Sequence, residues 1–478
     1  MSAATVPHRA SANLEHVRST FALQRDAFSR ATYPDAETRD RWLAALGRLL
    51  RENIGAIAAA IASDFGHRSH RETELLEIFP SLEAVEHARR NLRGWMKPQR
   101  RRVSLWFQPG RAEVIAQPLG VIGIVVPWNY PIYLAVGPLV GALAAGNRAM
   151  VKMSELAPAT GALLEALVAE HFRPDEVCVI NGEVAIARTF GELPFDHLLF
   201  TGSTAVGRAV MRSAADNLTP VTLELGGKSP AIVGPDYPVA AAAERILIGK
   251  CLNAGQTCIA PDYALVPEGR VREFAEAAAR VVSECYPDPM QSPDYTAIVN
   301  DRHFARLAGY LDEARAKGAQ VRSLAPEATP DPATRRFPPT LVNYAPDDCR
   351  LMGEEIFGPI LPVVPYRDLE DAIGYVNARP RPLALYYFDR DERRIARVLT
   401  STIAGGVTIN DTLLHIAQER LPFGGVGPSG MGEYHGRDGF DAFSKRKAVF
   451  RQARLNAIGL FNPPYGKGFE RLMRLLLR

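Results

Sequence analysis

Charge of one sign is what this chain fails to accumulate. Its 478 residues carry 56 Lys and Arg against 53 Asp and Glu, a net of +3, too balanced over such a length for a surface built to hold a nucleic-acid backbone, and no nucleic-acid partner is expected. Cysteine is sparse as well: the five residues at 178, 251, 258, 285 and 349 are odd in number and form no C-x-x-C pair or Cys/His cluster. Neither a disulfide framework nor a metal site is therefore expected. Residues 1–9 lack the apolar stretch of a secretory signal, and a chain whose chemistry needs a free thiol belongs in a reducing, cytoplasmic setting. Internal repeats and low-complexity tracts are missing too. Residues 114–147 contain no Asp, Glu, Lys or Arg, long enough for a membrane span on count alone. Pro127, Pro131 and Pro138 would break such a helix and leave polar groups unsatisfied in lipid, so the run reads as a buried strand, a loop, and a core helix over about 132–145.

What is present is a thiol and a carboxylate in informative surroundings. Cys258 closes Asn253-Ala-Gly-Gln-Thr-Cys258, where small neighbours leave the sulfur accessible, and Glu224 lies upstream in Leu223-Glu-Leu-Gly-Gly. A thiol attacks as thiolate and needs a lowered pKa or a nearby base; a lone cysteine is otherwise most often buried structure. Asn129, in Val125-Val-Pro-Trp-Asn129-Tyr-Pro, ends an apolar run with an uncharged donor suited to an oxyanion, although alone it reads as a turn residue. Lys152 and Glu155 follow a second short apolar run at a strand end, just before a helix over 158–170, where a parallel sheet presents ligands; alone they read as a solvated pair. Gly202-Ser203-Thr-Ala-Val-Gly207 joins the strand beginning at His197 to a helix. It is an imperfect dinucleotide fingerprint, with Thr204 in place of the middle glycine, yet Ser203 and the first N–H groups of the helix can still face a phosphate.

Together these residues resemble the aldehyde dehydrogenase superfamily over nearly the whole chain. Pro127-Trp-Asn-Tyr-Pro131, Phe200-Thr-Gly-Ser-Thr204, Leu223-Glu-Leu-Gly-Gly-Lys228, Gly255-Gln-Thr-Cys258, Glu354-Glu-Ile-Phe-Gly-Pro359 and Leu421-Pro-Phe-Gly-Gly-Val-Gly427 stand in the family's order and at its spacing. The sequences flanking Cys258 and His435 are similar to the class 3 branch, and within it to bacterial enzymes acting on coniferyl aldehyde.

The resemblance implies an NAD-dependent oxidation of an aldehyde to an acid, with NADP accepted as well. Cys258 would attack the carbonyl, Asn129 and the Cys258 N–H would hold the oxyanion, and Glu224 would activate the water that hydrolyses the thioester. Glu224 also separates the chain from coenzyme-A-acylating relatives, which lack that base. Lys152 and Glu155 would contact the adenosine ribose, Ser203 the pyrophosphate, and Glu355 and Phe357 the nicotinamide ribose; Trp128, Gly202, Gly207 and Leu225 join the cofactor contacts. Tyr133, Thr257, Tyr263 and Phe423 are candidates for the substrate pocket. Coniferyl aldehyde, giving ferulate, is the expected substrate, with medium- or long-chain aliphatic aldehydes as the alternative; a catalytically silent homologue is opposed by the joint presence of Cys258, Glu224, Asn129 and Lys152.

Alternating apolar runs and helical stretches argue an α/β chain. The expected fold is aldehyde dehydrogenase-like: two doubly wound parallel-sheet domains plus a small bridging sheet that pairs subunits into a homodimer. The expected division is 1–103 with 118–225 for the cofactor, 226–420 for the nucleophile, 104–117 with 440–455 for the bridging strands, and a tail at 456–478. The basic cluster 97–102 reads as a solvated boundary before a strand starting at Val103. In the tail, apolar Phe469, Leu472, Met473, Leu475, Leu476 and Leu477 stand among Arg471, Arg474 and Arg478, a basic amphipathic helix too short to span a bilayer and expected to pack on its own subunit or across a dimer, with weak adsorption to an anionic membrane as the alternative.

Overall fold

The Val121–Val125, Arg148–Lys152, Val177–Ile180, His197–Thr201 and Val221–Glu224 strands pair in parallel. Their near-continuous apolar sequences are what a sheet covered by helices on both faces requires. The computed structural model describes residues 6–477, with side chains from Leu14 onward; of the stretch 1–9 examined for a signal, residues 1–5 lie outside the described residues. Chain order and sheet order diverge at one place. From Val121–Val125 the chain winds outward through Arg148–Lys152 and Val177–Ile180, then returns to the other side of the first strand as His197–Thr201 and Val221–Glu224. Such a switch point leaves a crevice beyond the carboxyl ends of the two central strands, the place where open α/β sheets bind ligands. Gly430–Met431, from late in the chain, adds an antiparallel edge to this sheet beside Leu223 and Glu224.

A second sheet has seven strands in the order Gln320–Ser323, Thr340–Asn343, Ile360–Tyr366, Tyr263–Pro267, Pro230–Val233, Ala384–Phe388 and Gly406–Ile409, parallel except for the first. A third is antiparallel, with Arg111–Pro118 between Gln99–Arg101 and Ser444–Arg451. Here the sequence reading needs correction. The basic cluster is not a boundary before a strand: Gln99–Arg101 is itself the strand, and Leu105–Phe107 forms a single helical turn ahead of Pro109-Gly110. Arginines suit an exposed edge strand because their charge discourages pairing with foreign edges, and the Pro-Gly step ends regular structure.

The uncharged run becomes the Val121–Val125 strand, the Pro127–Ile132 loop, and the Tyr133–Ala145 helix, which is buried on nearly every side between the Phe79–Trp95 and Gly436–Ala442 helices. A helix apolar all round belongs in a core. No described helix is long and apolar enough to cross a membrane. Near the N-terminus two helices, Ala36–Glu52 and Ile54–Phe65, are parted at Asn53, whose amide turns back to the Leu49 carbonyl at 2.9 Å. Side-chain bonds of this kind compete with the helical ladder. Between His70–Thr73 and Phe79–Trp95 one wider turn, Glu74–Ile78, directs Glu77 into the core and leaves Leu75 exposed.

Candidate active site

At the switch point a cavity of about 250 Å³ is lined by Trp128 and Asn129 from the loop after one central strand, Gly202 and Ser203 from the other, Glu224, Leu225, and, from the second sheet's side, Cys258, Glu355 and Phe357. Nine of the expected site residues thus meet in one place.

Cys258 follows a strained turn. Asn253, Ala254 and Gly255 have φ of 52°, 50° and 73°, and left-handed backbone costs an L-residue about 1 kcal/mol, so the surroundings must hold it. Glu72 accepts from the Asn253 N–H at 3.2 Å and from Thr296 at 2.7 Å. The buried Gln256 amide donates to the Asn253 and Ala297 carbonyls at 3.0 Å and accepts from the Val299 N–H at 2.9 Å. Burial pushes the Cys258 thiol well up, and the carboxylates of Glu355 and Glu224 add to this; the Cys258 and Ile259 N–H groups act the other way. Those two donors are the ones an oxyanion beside the sulfur would meet.

Asn129 is buried, and its Nδ2 donates to the Gln256 carbonyl at 3.1 Å. An amide nitrogen carries two hydrogens, so one remains for the cavity. Its backbone carbonyl accepts from Arg68 at 3.0 Å and from the Asn253 amide at 3.1 Å, which ties the donor loop to the nucleophile turn.

Glu224 ends its strand opposite Gly430, where φ is 146° and a Cβ would strike the Leu223 carbonyl. That close backbone approach requires glycine. Neither Glu224 oxygen has a partner among the described residues, and burial, followed by the like charge of Glu433, raises its pKa well above the carboxylate range. A stronger base than an ordinary carboxylate is the chemical result.

The cofactor candidates divide. Lys152 is buried, so it is no surface cation: its Nζ donates to the Met153 and Gly182 carbonyls at 2.6 and 2.8 Å, leaving one of its hydrogens free. Burial lowers its pKa against the pull of Glu155, which itself is exposed three residues on. Ser203 caps the Thr204–Ala215 helix, accepting from Val206 N–H at 3.4 Å. Glu355 lies against Gly226, where any Cβ would collide with its carboxylate; its Oε1 is buried without a partner among the described residues, and burial, then Asp262, lifts its pKa to about 8. Phe357, at φ 50°, stands edge-on to Trp128 with centroids 5.4 Å apart. Unspent donors on Lys152 and at the helix start, with an unspent acceptor on Glu355, fit a dinucleotide's ribose hydroxyls and phosphates. Gly207 does not line the cavity; it lets its helix approach Leu225.

Among the substrate-pocket candidates, Tyr133 lines a second cavity of about 750 Å³, while its neighbour Leu134 lines the first. Phe423 stacks on His435 at 5.5 Å, and His435 meets the Tyr133 ring edge-on at 6.2 Å. Thr257 bonds the Tyr130 hydroxyl at 2.7 Å, and Tyr263 packs in the core against Tyr375; like Phe423, neither lines either cavity. His303 and Arg306, absent from the sequence reading, do line the first. Burial drops the His303 pKa to about 4, and its Nδ1 has no partner among the described residues. They come from the Asp301–Ala316 helix, whose sequence carries no motif that singles them out.

The family model described as "Aldehyde dehydrogenase family" matches residues 2–449. A Pseudomonas aeruginosa protein named probable coniferyl aldehyde dehydrogenase is 56% identical over 460 residues, 96% of each chain. The solved structure titled as the substrate-bound state of Staphylococcus aureus AldH superposes with a TM-score of 0.92 at 38% identity, covering 97% of this chain and 99% of that one. A Mycobacterium tuberculosis aldehyde dehydrogenase complexed with NAD+ gives a TM-score of 0.82 at 27% identity, covering 93% and 91%.

Proposed function

Since this chain belongs to the aldehyde dehydrogenase family, we propose that it oxidises coniferyl aldehyde and like arylpropenals to their acids, with Cys258 as nucleophile, Asn129 as oxyanion donor and Glu224 as base. The observation that carries the reading is the meeting of these three side chains in one cavity at the switch point. The Cys258 sulfur attacks the aldehyde carbon; the developing oxyanion is met by the free Asn129 hydrogen and the Cys258 N–H, each such donor contributing about 3 kcal/mol. When bound, NAD supplies the hydride acceptor that takes the thiohemiacetal to the thioester. Lys152, Glu155, Ser203, Glu355 and Phe357 are the residues that would hold it. Glu224, ionised, then takes a proton from water as that water attacks the thioester, and Cys258 leaves as thiolate.

Similarity to enzymes named for coniferyl aldehyde and the Tyr133 ring in the wall of the second cavity support the aryl substrate. In the same reading, the six-stranded sheet with the N-terminal helices serves the cofactor and the seven-stranded sheet carries the nucleophile. A homodimer forms through the exposed Ser444–Arg451 edge. The cysteines, none in a disulfide among the described residues, suit the cytoplasm.

The test compares kcat/KM for aromatic and aliphatic aldehydes with both cofactors in the wild type and in Cys258→Ala. The variant should bind NAD normally and oxidise nothing, while Cys251→Ala and Cys285→Ala stay active. Residual oxidation by Cys258→Ala would remove the nucleophile, and a preference for aliphatic aldehydes would remove the aryl substrate.

A further inference from the structure

The near-neutral total hides a segregation of charge. Residues 97–118 and 444–454, which contain the three strands of the antiparallel sheet, hold ten Lys and Arg and a single acid, Glu113. That is +9 within a chain totalling +3, so everything else sums to −6. All ten cations are exposed, and among the described residues Arg451 alone is paired, with Glu113 at 3.1 Å. The register sets Arg111 directly opposite Arg451 and Arg100 opposite Glu113. Paired residues share a face and alternate residues return to it, so Arg100, Arg111, Lys445, Lys447 and Arg451 stand on one face with Glu113 as its only acid. Like charges facing each other across strands cost stability, and a field of one sign held at that cost attracts an anionic partner.

The hairpin joining the first two strands supplies a second, independent observation. Its Leu105–Phe107 turn is fixed by the backbone, with the Phe107 N–H donating to the Ser104 carbonyl at 3.0 Å and the Gly110 N–H to the Phe107 carbonyl at 2.9 Å. The Phe107 ring meets Phe450 edge-on at 6.4 Å, and Phe450 lies so close to Gly110 that a Cβ there would strike it. Even so, Leu105 is 74% exposed, Trp106 49% and Phe107 44%. Three consecutive apolar side chains are thus held out to water directly beyond Arg100-Arg101-Arg102.

We propose that this sheet and its turn dock the protein on the surface of a bilayer rich in anionic phospholipid, the cations meeting headgroup phosphates while Leu105, Trp106 and Phe107 enter the interface. A nucleic acid would satisfy the cations but leave the apolar turn in water, and a neutral apolar partner would bury the turn and strand the charges. An anionic bilayer surface takes both, with Trp at the headgroup depth its amphipathic ring favours. Each basic residue near such a surface strengthens binding about fivefold, an effect that salt screens. Pairing of two copies through the Ser444–Arg451 edge uses backbone groups, so it leaves the basic face and the turn free for docking.

The experiment mixes the full chain with vesicles of phosphatidylcholine alone or of phosphatidylcholine with phosphatidylglycerol, and reads co-pelleting, Trp emission and sedimentation mass. The protein should pellet with the mixed vesicles, be released by salt and ignore the neutral ones. Its emission should shift to the blue, because Trp106 is the exposed one of its four Trp. Replacing Arg100, Arg101 and Arg102 together by Ser should weaken pelleting at least about tenfold. Replacing Leu105, Trp106 and Phe107 together by Ser should weaken it severalfold, remove the blue shift and make the remaining binding more salt-sensitive. Both variants should keep the wild-type mass and the wild-type rate of aldehyde oxidation in solution, which separates docking from folding and from catalysis. Failure to pellet with the mixed vesicles, equal pelleting with neutral ones, or pelleting that survives both variants overturns the proposal. So does tighter binding to duplex DNA than to the mixed vesicles, or a turn variant that falls to monomer, which would make the turn a subunit contact.

Discussion

Arg68 donates from Nη1 to the backbone carbonyl of Asn129 at 3.0 Å, and the same guanidinium pairs with Glu77 at 2.8 Å, both side chains fully buried. Glu77 in turn accepts from the Ile132 and Tyr133 N–H groups at 2.7 and 3.2 Å, so one ion pair holds the loop at Asn129 and again where the following helix begins. Phe65 and Tyr130 enclose the guanidinium, with ring centroids at 5.2 and 4.9 Å. Removing one partner of a buried pair strands the other charge, which costs about 3–5 kcal/mol. Arg68→Met should lower stability by that order in denaturant unfolding, and lower kcat further than the stability loss alone explains, because Asn129 is no longer held. Unchanged kcat in a folded Arg68→Met protein would show that the loop needs no such anchor.

For Glu224 the prediction separates two half-reactions. If it mainly activates water, Glu224→Gln should release a burst of NADH close to one equivalent per site and then turn over slowly. Loss of the burst would mean that it also deprotonates Cys258, and full steady-state activity would reject both roles. The pH profile carries the same information in the wild type. A base works only when ionised and burial raises the Glu224 pKa, so turnover limited by hydrolysis should climb with pH through a limb lying above the ordinary carboxylate range.

Glu355 predicts a dependence of stability on pH. Its pKa rises from 4.5 to about 8, from burial first and Asp262 second. Between those values the unfolded chain is ionised and the folded one holds a proton. Stability from this group is therefore fully present below pH 4.5 and is lost as pH rises toward 8, at about 1.4 kcal/mol per pH unit at most. Glu355→Gln should flatten that slope in thermal unfolding of the cofactor-free protein, and parallel wild-type and variant curves from pH 5 to 8 would count against the shift. Glu355→Gln should also weaken NAD binding.

What could be read before the fold was known follows a physical line. Cys258, Glu224, Asn129 and Ser203 are each set in short local patterns of glycine, proline and small residues, because their geometry is made by the backbone around them. Lys152 was legible as a strand-end cation but not as a buried one, since the Met153 and Gly182 carbonyls that hold it are brought together by the sheet. Arg68, Glu72 and Glu77 look like ordinary helix charges in a sequence, and only packing against the uncharged run turns them into anchors. His303 and Arg306 reach the first cavity from a single helix whose sequence has no pattern that marks them. The edge strand Gln99–Arg101 was hidden because its charge resembles a solvated turn.

The Glu155 role in cofactor choice is a prediction. An exposed carboxylate three residues beyond Lys152 would accept from ribose hydroxyls and repel a 2′-phosphate, while the buried ammonium would soften that repulsion. NAD should be preferred with some use of NADP, and Glu155→Gln should raise the NADP to NAD ratio of kcat/KM severalfold. An unchanged ratio would show that this carboxylate does not read the ribose.

The tail lies beyond the family match, which ends at residue 449. Its Lys467–Leu476 helix has Phe469, Leu472, Met473 and Leu476 half-covered, with Arg471, Arg474 and the apolar Leu475 exposed. The partial cover argues that this face seats on protein, whereas a membrane-bound helix would present it bare beside its charges. Deleting residues 462–478 should therefore weaken the dimer in sedimentation while leaving co-pelleting with anionic liposomes unchanged. If instead the full chain pellets in a salt-sensitive way and the truncated one does not, with the dimer intact, the tail is a surface anchor for lipid. No change in either measurement would discard both roles.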